Sequence, residues 1–314
     1  MNILITGACG FIGSHVVDKF LEDGHDVFVI DKITYAGNLE NLNKKAELFK
    51  IDIGSDEVSD ILKNNDIDIV VNLAAETHVD NSISNPFPFI ETNINSTFKL
   101  IHNCYLYQKN HNPDLKFVHI STDEVFGDLE LEDPAFTEES KYDPSSPYSS
   151  SKASGDMLIK SYIRTFNFNA VVLHCTNNFG PRQHVEKLIP KVIKNCTNKQ
   201  QIPIYGKGNQ IREWTFVKDF ANAIYTVSVT ECPSNVYCIG SGNEMKNIDI
   251  VNIICEEMSS KLNFDCKSLI KHVEDRKGHD FRYAINSAKI KKELNFEINR
   301  DFKDALEETI QFYF

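Results

Sequence analysis

Ile3-Leu4-Ile5-Thr6-Gly7-Ala8-Cys9-Gly10-Phe11-Ile12-Gly13 is a short apolar run that breaks into three glycines at three-residue intervals, and its reading decides the fold. Ile3-Leu4-Ile5 reads as a buried strand, and the amphipathic stretch Ser14 to Asp23 reads as the helix after it. Between them Gly7 permits a tight turn, Gly10 lets a pyrophosphate approach the backbone, and Gly13 allows close helix packing, while the helix N-terminus supplies N–H donors. A glycine triplet alone is weak evidence; the strand before it and the helix after it give it meaning. Asp26-Val27-Phe28-Val29-Ile30-Asp31 is the next strand, and Asp31 ends it 24 residues after Gly7. A carboxylate there accepts hydrogen bonds from an adenosine ribose and repels a 2'-phosphate, so NAD is favoured over NADP, with Lys32 next door weakening the preference slightly.

Outward from this pair, Phe49-Lys50-Ile51-Asp52-Ile53 reads as a third strand, with Asp52 either facing an adenine edge or simply starting a loop. Ile67 to Ala75 is a near-continuous apolar run of the kind buried on both faces, and a long helical stretch runs from about Ile90 to Asn110 after Pro86 and Pro88. Strands alternating with helices predict an α/β fold, a doubly wound parallel sheet. The 314 residues suffice for one large or two ordinary domains, and 41% hydrophobic with 25% charged residues is an ordinary globular composition. A net charge of -12 argues against nucleic acid as a partner, since a phosphate backbone calls for a basic face. The eight cysteines include no C-x-x-C pair and no H-E-x-x-H accompanies them, so reduced structural thiols and no metal are expected. Without a basic, apolar leader at Met1-Asn2-Ile3 or any 18-residue apolar stretch, a cytoplasmic location away from membranes is expected.

The reacting groups are sought at the carboxyl ends of the strands, where ligands of open α/β sheets bind. Phe117-Val118-His119-Ile120-Ser121-Thr122 reads as a buried strand that runs into Asp123-Glu124. Adjacent acids also occur at Glu22-Asp23, Asp56-Glu57 and Glu256-Glu257, where a solvated surface is the ordinary reading. The strand before Asp123-Glu124, and Tyr148-x-x-x-Lys152 after it, set this pair apart. Pro147 opens a helix, and the spacing of four puts Tyr148 and Lys152 on one face. Tyr105-x-x-x-Lys109 has the same spacing but lies late in its helix, away from the rim. For Tyr148 to act as a base near neutrality its pKa must fall by about three units, or ~4 kcal/mol. A positive charge about 4 Å away at an effective dielectric near 20 supplies ~4 kcal/mol, so Lys152, helped by a cationic nicotinamide, is expected to lower it. His78 has no second ligand at useful spacing and is read as structural.

These residues resemble the extended short-chain dehydrogenase/reductases and, within them, the dTDP-glucose 4,6-dehydratase family. The resemblance covers nearly the whole chain through TGACGFIGSH, DKITYAGNLENL, LAAETHVDNSI, ISTDEVFGDL, PYSSSKASGD, TNNFGPRQHVEKLIP, IYGKGNQIREW and EDRKGHDFRYAI. Thr122-Asp123-Glu124 is its specific part, because epimerases of the superfamily usually lack the acid pair. It implies retained NAD, with Tyr148 as base at a hexose C4 hydroxyl, Glu124 as base at C5, Asp123 as acid at the C6 hydroxyl, Thr122 on O4, and Lys152 beside Tyr148. NAD would be held by Gly7, Gly10, Phe11, Ile12, Gly13, Asp31, Lys32, Thr34, Asp52, Ile53, Leu73, Ala74, Ala75, Thr77, Thr92, Tyr148, Lys152 and Asn178. The nucleotide sugar would meet Thr77, Thr122, Asn177, Lys187, Leu188, Pro203, Ile204, Tyr205, Arg212, Asn247, Asp275, Arg276, Lys277, Gly278 and His279. Guanidinium forks match phosphate oxygens, so Arg212 and Arg276 suit a diphosphate.

The same resemblance implies a Rossmann-type domain over residues 1–176 plus 214–239, and a smaller α/β substrate domain over 177–213 plus 240–314. Thr176 to Pro181 reads as the turn-rich exit between them. A homodimer through the helix after Pro88 and the helix carrying Tyr148 is also implied. Phe126, His184-Val185 and Lys277 depart from the family pattern, the last two in the nucleotide-binding part, so dTDP-glucose and UDP-glucose both stay open as substrates. Two other activities stay open: a nucleotide-sugar 4-epimerase and a non-catalytic NAD-binding regulator.

Overall fold

In the computed structural model, which describes residues 1–314, twelve strands and eleven α-helices form two unequal layers. The strands are β1 (Asn2–Thr6), β2 (Asp26–Ile30), β3 (Glu47–Phe49), β4 (Ile69–Asn72), β5 (Lys116–Thr122), β6 (Ala170–Cys175), β7 (Asn177–Phe179), β8 (Ile202–Tyr205), β9 (Ile211–Phe216), β10 (Val236–Ile239), β11 (Glu244–Lys246) and β12 (Ile270–Val273). The helices are α1 (Phe11–Glu22), α2 (Val58–Asn64), α3 (Val79–Ser84), α4 (Phe87–Phe89), α5 (Thr97–Asn110), α6 (Pro147–Phe166), α7 (Leu188–Thr197), α8 (Val217–Val229), α9 (Asn247–Leu262), α10 (Ala288–Leu294) and α11 (Phe302–Tyr313).

Seven strands pair in the order β3-β2-β1-β4-β5-β6-β10, all parallel, so this is the expected doubly wound Rossmann-type sheet. The strand order reverses between β1 and β4, and a crevice opens beyond their carboxyl ends at that point. β4 and β6 are buried along their whole lengths, which is why their sequences are near-continuously apolar rather than alternating, with polar Asn72 and His174 only towards their carboxyl ends. Val16, Phe20, Phe220 and Ile224 of α1 and α8 cover one face together with Val171 and Leu173; Leu100, Ile101, Ile159 and Tyr162 of α5 and α6 cover the other.

The smaller layer holds the three-stranded sheet β11-β9-β7 and the pair β12-β8, with α7, α9 and α11 packed on a separate core around Phe179, Trp214, Phe216, Ile254 and Leu306. The chain crosses between layers more than once: α8 packs on α1, and β10 completes the large sheet.

Several expected boundaries move. The first helix begins at Phe11 rather than Ser14, because extended Gly10 caps it and Phe11 and Ile12 already lie in its first turn. The third strand is Glu47–Phe49, not 49–53; past it the Ile51 N–H turns back to the Phe49 carbonyl, and Asp52 accepts the Gly54 N–H. The long helix begins earlier, at Phe87, and Ile90–Ser96 is π-helical, an extra-residue turn of a kind frequent at functional sites. The turn-rich exit contains a short strand, β7, which pairs in parallel with β9. A cut between 213 and 214 falls inside β9.

Candidate active site

Every residue expected to hold the dinucleotide, from Gly7 to Asn178, lines one cavity above the crevice. Its floor is shaped by glycine. Gly7 has φ +67, and a Cβ there would lie 2.8 Å from the Ala74 backbone; a Cβ on Gly13 would lie 2.3 Å from the Gly7 carbonyl oxygen. Backbone packed this closely leaves the start of α1 open to a ligand, which fits a pyrophosphate. Asp31 is fixed by two backbone donors, the N–H of Cys9 at 2.9 Å and that of Ile33 at 2.7 Å. Lys32 is drawn to Thr92, at 2.9 Å, and to Asp52, at 3.2 Å, so its charge is partly neutralised beside the Asp31 carboxylate. This donor and acceptor set fits NAD.

The acids expected to react stand at the end of β5. The Thr122 hydroxyl accepts the Glu124 N–H at 3.3 Å and lies 3.2 Å from Asp123 Oδ1, which folds the acid pair into a tight turn. Asp123 is only 2% exposed and its Oδ2 has no hydrogen-bond partner. Burial, then the carboxylates of Glu124 and Glu213, push its carboxyl well above the usual range. Burial also raises Glu124, but the cations of Arg212, Arg276 and Lys187 oppose the rise, and its side chain lines the cavity. Both carboxyls are thus pushed up, Asp123 strongly and Glu124 against three opposing cations, so the two acids stand in unequal environments.

Tyr148 and Lys152 line the same cavity from α6, whose start is fixed by Pro147 and by a reciprocal cap between Ser146 and Ser149. The expected lowering of the tyrosine is reversed. Burial, then the Glu124 carboxylate, push the Tyr148 hydroxyl well above its ordinary value, while Lys152 donates to the Ile120 carbonyl at 2.7 Å and is itself pulled down by burial. Desolvation and the neighbouring Glu124 anion, neither of which follows from the spacing of Tyr148 and Lys152, set that direction. Tyr105 lies away from the cavity, its ring 4.8 Å from that of Phe166.

Of the residues expected at the nucleotide sugar, Thr77, Thr122, Asn177 and Lys187 line the cavity, with the Lys187 ammonium donating to the Thr77 carbonyl at 3.2 Å. Tyr205, Asp275, Arg276 and His279 form a neighbouring cluster. Tyr205 donates to Asp80 at 3.1 Å, Arg276 lies 3.7 Å from Asp80, and His279 lies 2.6 Å from Asp275. The Arg276 Nε is buried and unpartnered. Arg212 is less free than its type suggests: its fork donates to the carbonyls of Ile211, Phe281 and Asp280, and it lies on the Tyr283 ring at 4.2 Å. Ile204 belongs to the second core and Leu188 packs against it. Pro203 faces Lys271 across β8 and β12, Asn247 opens α9, and Lys277 and Gly278 are exposed.

Glu76, Gln183, His184 and Glu186 also line the cavity and were not expected there. They stand one to four positions from Thr77 and Lys187 in the quoted motifs, so adjacency was the available signal. His78 caps α3 by accepting the Asn81 N–H, in keeping with a structural reading.

The family model described as GDP-mannose 4,6 dehydratase matches residues 4–309. The chain is 42% identical over 340 residues to a dTDP-glucose 4,6-dehydratase of Escherichia coli, covering 100% of this chain and 93% of that one. Among solved structures it is similar to DesIV, a dTDP-glucose 4,6-dehydratase from Streptomyces venezuelae with NAD and TYD bound, at TM-score 0.91 and 35% identity over 100% of this chain and 97% of that one. It is also similar to a dTDP-glucose 4,6-dehydratase from Bacillus anthracis in complex with NAD, at TM-score 0.88 and 38% identity over 100% and 96%. With the glycine cradle, the acid pair and the Tyr148/Lys152 face in one cavity, the chain belongs to the nucleotide-sugar 4,6-dehydratase family of the extended short-chain dehydrogenase/reductases.

Proposed function

We propose that this chain is an NAD-dependent dTDP-glucose 4,6-dehydratase, a carbon–oxygen lyase that makes the 4-keto-6-deoxyglucose nucleotide and water. NAD, when bound against Gly7, Gly10, Gly13 and Asp31, supplies the acceptor for the C4 hydride and the donor that returns it to C6. Tyr148 takes the C4 hydroxyl proton while Thr122 hydrogen-bonds O4. Ketone formation at C4 acidifies the C5 proton, which Glu124 removes, and Asp123 protonates the departing C6 hydroxyl; once C6 has gained the hydride, Glu124 gives the proton back to C5, and the proton left on Tyr148 balances the one Asp123 recovers through solvent. Burial and Glu124 hold the Tyr148 hydroxyl high, so Tyr148 depends on the charge of Lys152 to act as a base, and a cationic nicotinamide would add to that charge.

The observation that carries this reading is the asymmetry of the acid pair: Asp123 buried with an unpartnered oxygen and pushed well up, Glu124 facing the cavity with cations around it. An epimerase needs no such pair. Lys187 and the cluster of Arg276, Tyr205 and His279 are proposed to hold the diphosphate and base, with Arg212 acting on Glu124 through its charge. One methyl separates thymine from uracil, worth only about 1–3 kcal/mol in an apolar pocket, so UDP-glucose is a competing substrate. Purified protein incubated with each nucleotide sugar tests the reading. Loss of one water from dTDP-glucose supports it, and an epimer of unchanged mass contradicts it.

The division into residues 1–176 plus 214–239 for NAD and 177–213 plus 240–314 for the nucleotide sugar remains our proposal, supported by two separate cores. A homodimer is also proposed. Phe87 is 79% exposed, and Ile90, Phe98, Leu106 and Phe166 stand exposed along 87–110 and the end of α6, an apolar face that a second copy would cover. No helix is long and apolar enough to cross a membrane. All eight cysteines are free thiols, which fits the reducing cytoplasm we propose as the location.

A further inference from the structure

Lys152 is 6% exposed, and no carboxylate lies within hydrogen-bond reach of its ammonium; its nearest acceptor is the Ile120 carbonyl at 2.7 Å. A buried cation without a counter-charge tends to give up its proton. One turn along α6 lies Asp156, at 0% exposure. Its Oδ2 accepts from the Ser121 hydroxyl at 2.7 Å, the Tyr142 hydroxyl at 3.2 Å and His174 Nε2 at 3.0 Å. Against the rise that burial imposes, the His174 hydrogen bond and then the charges of His174, His119 and Lys152 hold the carboxyl below its ordinary value, and Oδ1 is left without a hydrogen-bond partner. Between Oδ1 and the ammonium stands His119, its Nε2 3.6 Å from Asp156 and 3.4 Å from Lys152.

A chain of hydrogen bonds from the cofactor side sets the tautomer of that imidazole. The Ala74 N–H donates to Thr6 Oγ1 at 3.2 Å, and the Thr6 hydroxyl donates to Asn72 Oδ1 at 2.6 Å. The Asn72 amide nitrogen is thereby turned to His119 Nδ1, at 3.0 Å, which must accept. The ring proton therefore sits on Nε2, on the side of Asp156 Oδ1 at 3.6 Å, while the Lys152 ammonium, which can only donate, is held by the Ile120 carbonyl. Burial, then the Lys152 charge, push His119 down to about 3, so the ring is neutral in working conditions.

We propose that Asp156 is a positioning residue: it is the counter-charge that keeps Lys152 protonated and in place, with neutral His119 as the spacer oriented by Asn72 and Thr6. This rests on the proposed role of Lys152 beside Tyr148. Other ionisable groups face the network from each packed element. They are Tyr148 and Lys160 on α6, His174 and Cys175 on β6, Tyr142 on the preceding loop, and Asp123 and Glu124 in the turn after β5; residues 90–96 present only the neutral Asn93. Of these, only Cys175 also acts on the Lys152 charge, and burial pushes its thiol far up, so it stays uncharged.

Asp156→Asn keeps the shape and removes the charge. With burial acting alone, Lys152 loses its proton at lower pH, and the alkaline limb of kcat, at saturating NAD, moves down by about one pH unit or more. A packing role would instead lower kcat by one factor at every pH, so an unmoved limb overturns the proposal. Where the variant is inactive or unfolded, the melting temperature of Lys152→Met/Asp156→Asn decides. Removing both charges should restore stability lost with one; a double variant no more stable than Asp156→Asn overturns the pairing. The melting cycle needs no turnover, so a wild-type protein that made no ketosugar would sink the dehydratase reading and leave this test standing.

Discussion

Replacing Glu124 by glutamine removes the proposed C5 base while keeping its size, and it should separate oxidation from elimination. A positioned general base contributes roughly 100- to 10,000-fold. At about 1.4 kcal/mol per tenfold this is ~3–5 kcal/mol on the elimination barrier. The same substitution acts oppositely on the first step. The Glu124 carboxylate is the second cause, after burial, of the raised Tyr148 hydroxyl, so its removal lowers the tyrosine and favours C4 oxidation. Mixing the NAD-loaded variant rapidly with dTDP-glucose should therefore give reduced nicotinamide absorbance that builds and persists, where the wild-type signal is transient. Ketosugar formation should fall at least ~100-fold. Product formed within about threefold of the wild-type rate would refute the role of Glu124. Loss of product without any nicotinamide reduction would refute the separation of the two steps.

Asp123→Asn should abolish ketosugar formation and yet raise the melting temperature at pH 8 by at least ~2 °C. The wild-type carboxyl has a raised folded pKa, so the native state holds a proton that the unfolded chain has released, and stability falls as pH rises from about 4 towards that raised value. The gain should vanish near pH 4; calorimetry showing equal stability at both pH values would contradict the buried environment of Asp123. Asp31→Asn loses the charge that meets the ribose, so fluorescence titration of the cofactor-free protein should show NAD weakened about tenfold and its margin over NADP narrowed. Phe98→Asp, placed in the apolar face along α5, should turn the proposed dimer into a monomer by sedimentation; an unchanged assembly would place the interface elsewhere.

The large sheet was legible because local signals agreed. The Ile3-Leu4-Ile5 run, the glycines after it and the apolar stretches at 67–75 and 170–175 all point to buried parallel strands, and the structure pairs them in one sheet. Boundaries failed where tertiary contacts override local pattern: Glu47–Phe49 is too short to carry a period, and the π-helical turn at 90–96 looks like ordinary helix in sequence. The acid pair and the Tyr148/Lys152 face stood out because strand ends and helix starts fix where such side chains point. The charge state of Tyr148 was not legible, since desolvation and the Glu124 anion come from packing rather than spacing. Nor was the hydrogen bonding of Arg212, which depends on carbonyls of Phe281 and Asp280 nearly seventy positions away. Likewise Glu76, Gln183, His184 and Glu186 enter the cavity through turns that no periodicity marks.

The central claim, that a hydride leaves C4 and the same hydride arrives at C6 after water departs, is tested most directly with dTDP-glucose carrying deuterium at C4. The account predicts a product lighter by one water that keeps the label, now at C6, with the bound cofactor unchanged after many turnovers. A product of unchanged mass with C4 inverted, or a dehydrated product whose label has washed into solvent, would contradict it.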